Sequence, residues 1–459
     1  MKSHTRNIRS WFFAVLGLVV LVPVIWILIV RLEGEKPAVT FQLPGPALGI
    51  SQTFSVTVAD NKSGLRSIWF GLLSGTKQYV LLQENFPGSG FLGGGDVEKE
   101  SFRVTLEPRE LGIEDGPATL RIVVRDFSWR GRLKGNQAVV EKPVIIDTKP
   151  PVIDILTRFH NVAQGGAALV IYRLSEACPK NGVHVEEDFY PGFSGYFKDP
   201  GLFMAFFALR YDQGRGTKMF VRATDAAGNR SVAAIPHYII KKRFRKDKIT
   251  LSDRFLSAKM PEFSNELPQA SRLSPVEIFL KVNRDLRRES YKKIKELVSH
   301  PDSKMHWNGI FLRLPNSARK AGFADHRDYF YGQKKIDSQV HLGIDLASIA
   351  RSKVLAANNG RIVFSDKLGI YGNTVIIDHG FGIFSMYSHL SAIQVQPGQM
   401  VSKGDIIGLT GSSGLAGGDH LHFSILIHHT FVNPVEWWDA SWIENNVLSK
   451  IKDVETYGG

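Results

Sequence analysis

Twenty consecutive residues near the N-terminus, from Trp11 to Val30, carry no charged side chain. As a helix at 1.5 Å per residue, such a run is about 30 Å long, the thickness of the hydrocarbon core of a bilayer. Lys2, Arg6 and Arg9 precede it, which favours a cytoplasmic N-terminus. The run is longer than the apolar core of a signal peptide and is not followed by a small-residue cleavage site. The sequence predicts an uncleaved membrane anchor, with everything after about residue 35 outside the cytoplasm; a buried core helix is the alternative.

Net charge and cysteine content restrict which binding partners and which metal ligands the chain can have. A net charge of +13 and a pI near 9.6 favour an anionic partner, such as nucleic acid, acidic lipid or an acidic polymer. The predicted export argues against nucleic acid. The basic run Lys241–Lys248 suits an acidic partner or a solvated linker. Cys178 is the single cysteine, so an intrachain disulfide and a cysteine-based zinc site are excluded, and a metal would need histidine and carboxylate ligands.

Short strand patterns occupy the chain from Pro37 to about Ile240. Apolar residues alternate with other residues in Phe54–Val58, Phe102–Leu106 and Leu120–Val124, and turn sequences separate these runs. Asp126 and Asp225 occupy similar places in "VVRDFSWRG" and "VRATDAAGN". A repeat of ~100 residues with many short strands predicts two tandem immunoglobulin-like sandwiches.

A helical pattern follows, between residues 241 and 305. Ser274 and Glu277 are spaced as a capping box around Pro275, which suits the first helical position. The following helix has an apolar face and a basic face, the first with Phe279, Val282, Leu286, Ile294 and Leu297, the second with Lys281, Arg284, Arg288, Lys292 and Lys295. The segment reads as a helical basic connector whose charged face is either solvated or bound to a membrane or polymer.

From His306 onward, short apolar runs separated by glycine turns predict a compact antiparallel β domain. Histidines concentrate in this region, at positions His341, His379, His389, His420, His422, His428 and His429. The adjacent pair His428 and His429 is expected to be exposed and without a role.

Spacing suggests which of these side chains converge. His341 precedes Asp345 by four residues, and imidazole and carboxylate are both zinc ligands. His420 and His422 lie two apart, so in a strand they would share one face. Each of these two spacings also occurs by chance. The His420 and His422 spacing would equally arise from two exposed polar residues on a half-buried strand. His389, in "YSHL", would come from another strand.

The ordered set "HLGIDLA", "YGNTVIIDHG", "YSHL", "PGQMVSKGDIIGLTGSSG", "GDHLHF" and "VNP" resembles the lysostaphin-type (LytM-domain) zinc endopeptidases, which cleave peptide cross-links of bacterial peptidoglycan. The resemblance covers about residues 306 to 440. It implies one zinc ion bound by His341, Asp345 and His422. It also implies that His389 and His420 are catalytic histidines that do not bind the metal.

Further residues of the resemblance have less defined roles. Arg327, in "GFADHRDY", resembles an arginine that precedes the first ligand and would border the cleft. His379 would support the core or the ligands. The glycine-rich segment Gly411–Gly418 would edge the substrate groove, and Asp419 replaces a proline found in many members. In latent relatives an upstream segment occludes the metal, and either Asn316 or His326 could take that part here.

The resemblance implies that zinc activates a water for attack on an amide. The chain has no H-E-x-x-H glutamate, so His389 and His420 would move protons and stabilise the oxyanion, in an order that the sequence leaves open. A catalytically silent regulator of other wall hydrolases and a wall-binding scaffold, with protein partners on the β modules, are the alternatives. The expected fold is mostly β and multidomain, with anchor 1–35, modules 36–148 and 149–240, connector 241–305, peptidase 306–440 and tail 441–459.

Overall fold

The N-terminal apolar run forms one continuous helix. The computed structural model describes residues 4–267 and 270–457, with 42% of the chain in strands and 20% in helices. Helix α1 spans His4–Arg31, and its segment Ser10–Arg31 is long and apolar enough to cross a membrane. The 18-residue apolar window within that segment has no buried residue, whereas Arg31 at its end is buried. Lys2, one of the basic residues of the predicted anchor, lies outside the described residues.

The first compact unit comprises residues 1–150 and 224–230. Its strands are β1 Ala38–Phe41, β2 Ala47–Leu48, β3 Gln52–Ala59, β4 Leu65–Ser74, β5 Lys77–Asn85, β6 Lys99–Leu106, β7 Gly116–Asp126 and β8 Gln137–Ile146. Two single turns, α2 (Gly90–Gly93) and α3 (Arg130–Leu133), interrupt the loops. The strands form two sheets, in the orders β1–β3–β6 and β2–β8–β7–β4–β5.

Alternate residues of these strands form the core of the unit. Phe54, Val56 and Val58 of β3 and Ile68 and Phe70 of β4 are buried in one cluster, so the inner faces of the two sheets pack together as a sandwich. The three runs predicted as strands lie within β3, β6 and β7. The immunoglobulin-like assignment stays a prediction.

The second compact unit comprises residues 151–223 and 231–459. Its first strands are β9 Ile153–Ile155, β10 His160–Ala163, β11 Ala167–Leu174, β12 Lys180–Val185, β13 Asp188–Pro191, β14 Leu202–Ala208, β15 Met219–Thr224, β16 Arg230–Ala234 and β17 His237–Ile240. Buried side chains of β11 and β14 belong to the same core as Trp437, whose ring centroid lies 6.3 Å from that of Phe206. This β region and the C-terminal domain therefore share one continuous core.

The connector contains a strand that the sequence interpretation missed, followed by helices. Strand β18 (Lys246–Leu251) is followed by α4 Asp253–Lys259, α5 Pro275–Lys281 and α6 Arg287–Leu297, with 3₁₀ turns at Met260–Phe263 and Ala270–Arg272 and a π turn at Val282–Leu286. The predicted capping box at Ser274 and Glu277 is present at the start of α5. Of the predicted apolar face, Leu297 is half-buried and the other four residues are buried. They pack against Ile376, Phe384 and Leu426 of the C-terminal domain.

The C-terminal domain is built on one large antiparallel sheet. Its strands are β19 Ala318–Ala321, β20 Asp325–Tyr331, β21 Lys334–His341, β22 Ile344–Ala347, β23 Lys353–Leu355, β24 Gly360–Lys367, β25 Asn373–Asp378, β26 Ile383–Leu390, β27 Ala392–Ile393, β28 Met400–Val401, β29 Ile406–Leu409, β30 Leu421–Ile427 and β31 Thr430–Val432. The large sheet has the order β19–β22–β30–β26–β25–β24–β28, and β31 pairs with β30. In a smaller sheet, β18 runs parallel to β20, and β20 pairs with β21. A 3₁₀ turn at Gly369–Tyr371 lies between β24 and β25. After β31 come the helices α7 Pro434–Trp438, α8 Ala440–Ile443 and α9 Ser449–Tyr457, with a π turn at Glu444–Leu448 between the last two.

Candidate metal centre

Strand pairing brings the predicted ligands together. His341 is the last residue of β21, and Asp345 lies on β22 directly opposite His422 of β30. His422 also pairs with Ser388 of β26, which places His389 beside it. Residues separated by about 80 positions thus meet at the centre of the sheet.

The potential ligand atoms form a compact triangle. His341 Nε2 lies 2.9 Å from Asp345 Oδ1 and 2.9 Å from His422 Nδ1, and the last two atoms are also 2.9 Å apart. All three residues are buried. Burial would raise the pKa of Asp345, but the adjacent imidazoles of His341, His420 and His422 hold it well below its usual range. Asp345 therefore contributes a carboxylate.

Hydrogen bonds on the outer side of each ring fix its tautomer. His341 Nδ1 lies 2.8 Å from the Gly322 carbonyl oxygen, which only accepts, so Nδ1 carries the hydrogen and Nε2 is a lone-pair donor. Ser424 donates its hydroxyl hydrogen to Leu342 O, at 2.8 Å, so its oxygen accepts from His422 Nε2–H at 3.1 Å. His422 Nδ1 is then also a lone pair.

Two lone pairs and a carboxylate oxygen therefore face one another at 2.9 Å. This arrangement is repulsive unless a cation lies among the three atoms. Two imidazoles and a carboxylate are ligands suited to zinc, and three protein ligands leave a coordination position for water or substrate. The donor set fits the zinc ion that the sequence resemblance implies.

His389 and His420 lie beside this triangle. Their ring centroids are 4.9 Å apart, and His420 Nε2 lies 3.6 Å from Asp345 Oδ1. His389 Nδ1 donates to Ser413 O and His420 Nδ1 donates to Gly418 O, both at 2.8 Å, so each ring leaves Nε2 for chemistry. Burial, with the charges of His420 and His422, holds the pKa of His389 well below its ordinary value. Burial alone would lower the pKa of His420, but Asp345 raises it.

Arg327 lies on β20, and its Nη2 donates to Asp345 Oδ2 at 2.8 Å. The sequence interpretation put this arginine at the border of the cleft, and it does line the cavity. Its charge is engaged by the candidate ligand itself.

A cavity of about 350 Å³ opens over the potential ligand atoms. The C-terminal domain contributes Tyr371 and Leu415 to its wall, and the connector contributes Leu251, Phe279 and Arg287. Asn316 and His326, between which the sequence did not decide, are not among the described residues that line it. The connector side chains were missed because no local spacing links them to the histidines.

Other sequence-predicted residues have structural positions. His379 is buried, with Nδ1 2.6 Å from Asn359 O and Nε2 2.7 Å from Ser385 Oγ. Asp419 accepts from Thr410 Oγ1 at 2.7 Å and so holds the loop before His420.

The expectation that His428 and His429 are exposed is wrong. His428 is buried, and its ring stacks on Phe193 at 6.0 Å. His429 is half-buried, with Nε2 3.3 Å from Asp188 Oδ1. Both occupy the turn between β30 and β31, which packs on the preceding β region, a contact that the polar pair in the sequence does not reveal.

Comparison with known proteins gives matches to the C-terminal domain. Residues 339–434 match the model of Peptidase family M23. The chain is 41% identical over 97 residues to the DD-carboxypeptidase/endopeptidase Mpg of Neisseria meningitidis, covering 21% of this chain and 22% of that protein. Over 96 residues it is 36% identical to the peptidoglycan DD-endopeptidase ShyA of Vibrio cholerae, again 21% of this chain and 22% of the relative.

Other matches have a different printed role or a lower similarity. The chain is 33% identical over 107 residues to the murein hydrolase activator EnvC of Escherichia coli, covering 23% of this chain and 26% of that protein. A solved structure of a putative M23 peptidase from Pseudomonas aeruginosa has a TM-score of 0.39 at 20% identity, covering 61% of this chain and 95% of that one. The aligned regions span about a quarter or less of these three relatives.

Proposed function

We propose that this chain, which carries a Peptidase family M23 domain at its C-terminus, is a membrane-anchored zinc endopeptidase that hydrolyses peptide cross-links of peptidoglycan. The observation that carries the proposal is the triangle of His341, Asp345 and His422, with the rings of His389 and His420 beside it. Helical anchoring by α1 would leave the catalytic domain outside the cytoplasm, and the net positive charge suits an acidic wall.

The chain's own groups supply the proton transfers. When bound by His341, Asp345 and His422, zinc supplies Lewis acidity and lowers the pKa of a coordinated water. His389 is neutral near pH 7 because its pKa is lowered, so its Nε2 lone pair accepts the proton of the attacking water. His420, the more basic of the two, donates a hydrogen bond from Nε2–H to the oxyanion and then transfers that single proton to the leaving amine, while the proton held by His389 passes to solvent.

A second candidate function is regulation of other wall hydrolases without catalysis, since one relative is named a murein hydrolase activator. The presence of all five site residues favours the enzyme. The wall-binding scaffold is the weakest of the three, because a scaffold has no need for the lone-pair triangle.

The test uses the full chain in detergent and isolated peptidoglycan, with fragments identified by mass spectrometry. We expect one zinc per chain, peptide cross-links cleaved, and activity lost with 1,10-phenanthroline and restored by zinc. A zinc-loaded chain that cleaves nothing but stimulates another hydrolase would favour the regulator.

Replacing His420 separates its role from that of His422. His420→Ala should lower turnover about 100-fold or more, because the proton donor is lost, while one zinc per chain is retained. His422→Ala should lose the zinc as well. Loss of zinc from His420→Ala would contradict the assignment of ligands.

A further inference from the structure

The cleft contains two arginines in different electrostatic situations. Arg327 pairs with Asp345 at 2.8 Å. Arg287, the first residue of α6, lines the same cavity from the connector side. Among residues 4–267 and 270–457, no ion pair within 4.0 Å joins Arg287 to a carboxylate, whereas its neighbours Arg284 and Arg288 pair with Asp337 and Asp285.

Neutral groups hold the Arg287 guanidinium in place. Its Nε donates to Asn283 O at 3.1 Å and its Nη2 donates to Asn283 Oδ1 at 2.6 Å. Asn283 is itself fixed by a bond from Nδ2 to Asp337 Oδ2, at 2.8 Å, and is fully buried. The side chains of Tyr291, Tyr329 and Tyr371 also lie near the charge, and Tyr291 hydrogen-bonds to the guanidinium. Asn283 uses two of the five donors of the guanidinium and Tyr291 one, which leaves two for a ligand.

A partly buried cation without a counter-ion is costly unless a ligand supplies the charge. A guanidinium pre-oriented along one edge is suited to bidentate binding of a carboxylate. Arg287 lines the same cavity as the candidate ligands His341, Asp345 and His422, so one bound peptide can contact both the guanidinium and the metal centre.

We propose that Arg287 binds a carboxylate of the substrate, so that the site selects peptides with a free carboxylate close to the cleaved amide. This inference rests on the proposed peptidase function of the cleft. The carboxylate is either the C-terminus of the peptide or that of an acidic residue within it.

Binding, measured apart from turnover, tests the proposal. The zinc-loaded full chain with His420→Ala in detergent is titrated into three fluorescein-labelled peptides, with fluorescence anisotropy as the readout. They are L-Ala-D-Glu-L-Lys-D-Ala-D-Ala, its C-terminal carboxamide, and the form with D-Gln in place of D-Glu. We expect one of the two neutralised peptides to bind about tenfold or more weakly, which identifies the source of the carboxylate.

Substitutions of Arg287 test whether this residue causes the preference for the peptide that carries the carboxylate. Arg287→Met should bind all three peptides equally, and Arg287→Lys should retain part of the preference. Arg288→Met, on the exposed side of the same helix, should behave like the parent. Zinc content and melting temperature are measured for each variant, so loss of folding is detected directly.

Several outcomes would overturn the inference. These are equal binding of the three peptides by the parent, no binding of any, or a preference that survives in folded Arg287→Met. Failure of the proposed function has a different signature: no cross-link cleavage by the His420-containing chain, with the carboxylate preference and its dependence on Arg287 intact.

Discussion

Ser424 shows how one hydroxyl sets the protonation of a histidine in the candidate metal centre. It is fully buried, gives its hydrogen to Leu342 O, and must therefore accept from His422 Nε2. That bond fixes the tautomer in which His422 Nδ1 presents a lone pair. Groups that orient a ligating imidazole in this way strengthen metal binding.

Replacing Ser424 with alanine should therefore weaken zinc binding by about 10- to 100-fold, because His422 loses the acceptor that fixes its tautomer. Competition with a chromophoric chelator measures the affinity. Ser385→Ala is the matched control, since Ser385 is an equally buried serine that bonds a histidine, His379, outside the triangle. Equal zinc affinity in the two variants would refute the role given to Ser424.

Much of the candidate site follows from local sequence. A strand puts residues two apart on one face, so the "HLH" spacing predicts that His420 and His422 project together. The spacing cannot identify Gly322 as the acceptor for His341, because that carbonyl comes from another segment. It also cannot identify Arg287, whose place depends on how the connector packs.

At the scale of elements, helix α7 carries a carboxyl group, that of Glu436, with an unusually high pKa. Glu436 Oε2 accepts from the Ala167 backbone N–H at 3.0 Å, which links the helix to β11. Burial raises the pKa of Glu436 to about 8, against the smaller opposing effects of this bond and of Lys242. Because the folded-state pKa exceeds that of the unfolded chain, folding binds a proton.

The sign of the pH dependence follows from this linkage. Protonation of Glu436 contributes to the free energy of unfolding. This contribution is fully present below pH 4.5 and is lost as pH rises towards about 8. Between pH 5.5 and 8.5, the free energy of unfolding should fall on the order of 3 kcal/mol more in the parent than in Glu436→Gln, whose amide keeps the acceptor without titrating. Denaturant unfolding at the two pH values measures the difference. A parallel pH dependence in both proteins would contradict the assignment.

The connector illustrates what an amphipathic pattern does and does not predict. Its capping box and its apolar face are encoded locally, and both are present. The surface that the apolar face covers is a tertiary property. In the structure it is the sheet of the C-terminal domain, and consequently Phe279 and Arg287 reach the cleft.

At the scale of the whole molecule, α1 would determine where the chain acts. The full chain should sediment with membranes and enter the detergent phase on phase separation. A chain beginning at Arg31 should be recovered in the aqueous phase, because the 20-residue apolar run Trp11–Val30 is removed. Immunoblotting of the two phases provides the measurement. Retention of the shortened chain in the membrane fraction would show that another surface binds lipid.

The sequence by itself determined the features that depend on neighbours along the chain. These are the apolar helix, the alternating strands and the capped connector helix. Tertiary structure decided which atoms of the candidate ligands face one another, which carbonyl and hydroxyl orient them, and which arginine lines the cleft with no carboxylate partner among the described residues. The reason is physical: periodicity and capping are set by residues within about one or two helical turns. Tautomers, ion pairs and cleft walls arise between segments far apart in sequence that only folding brings into contact.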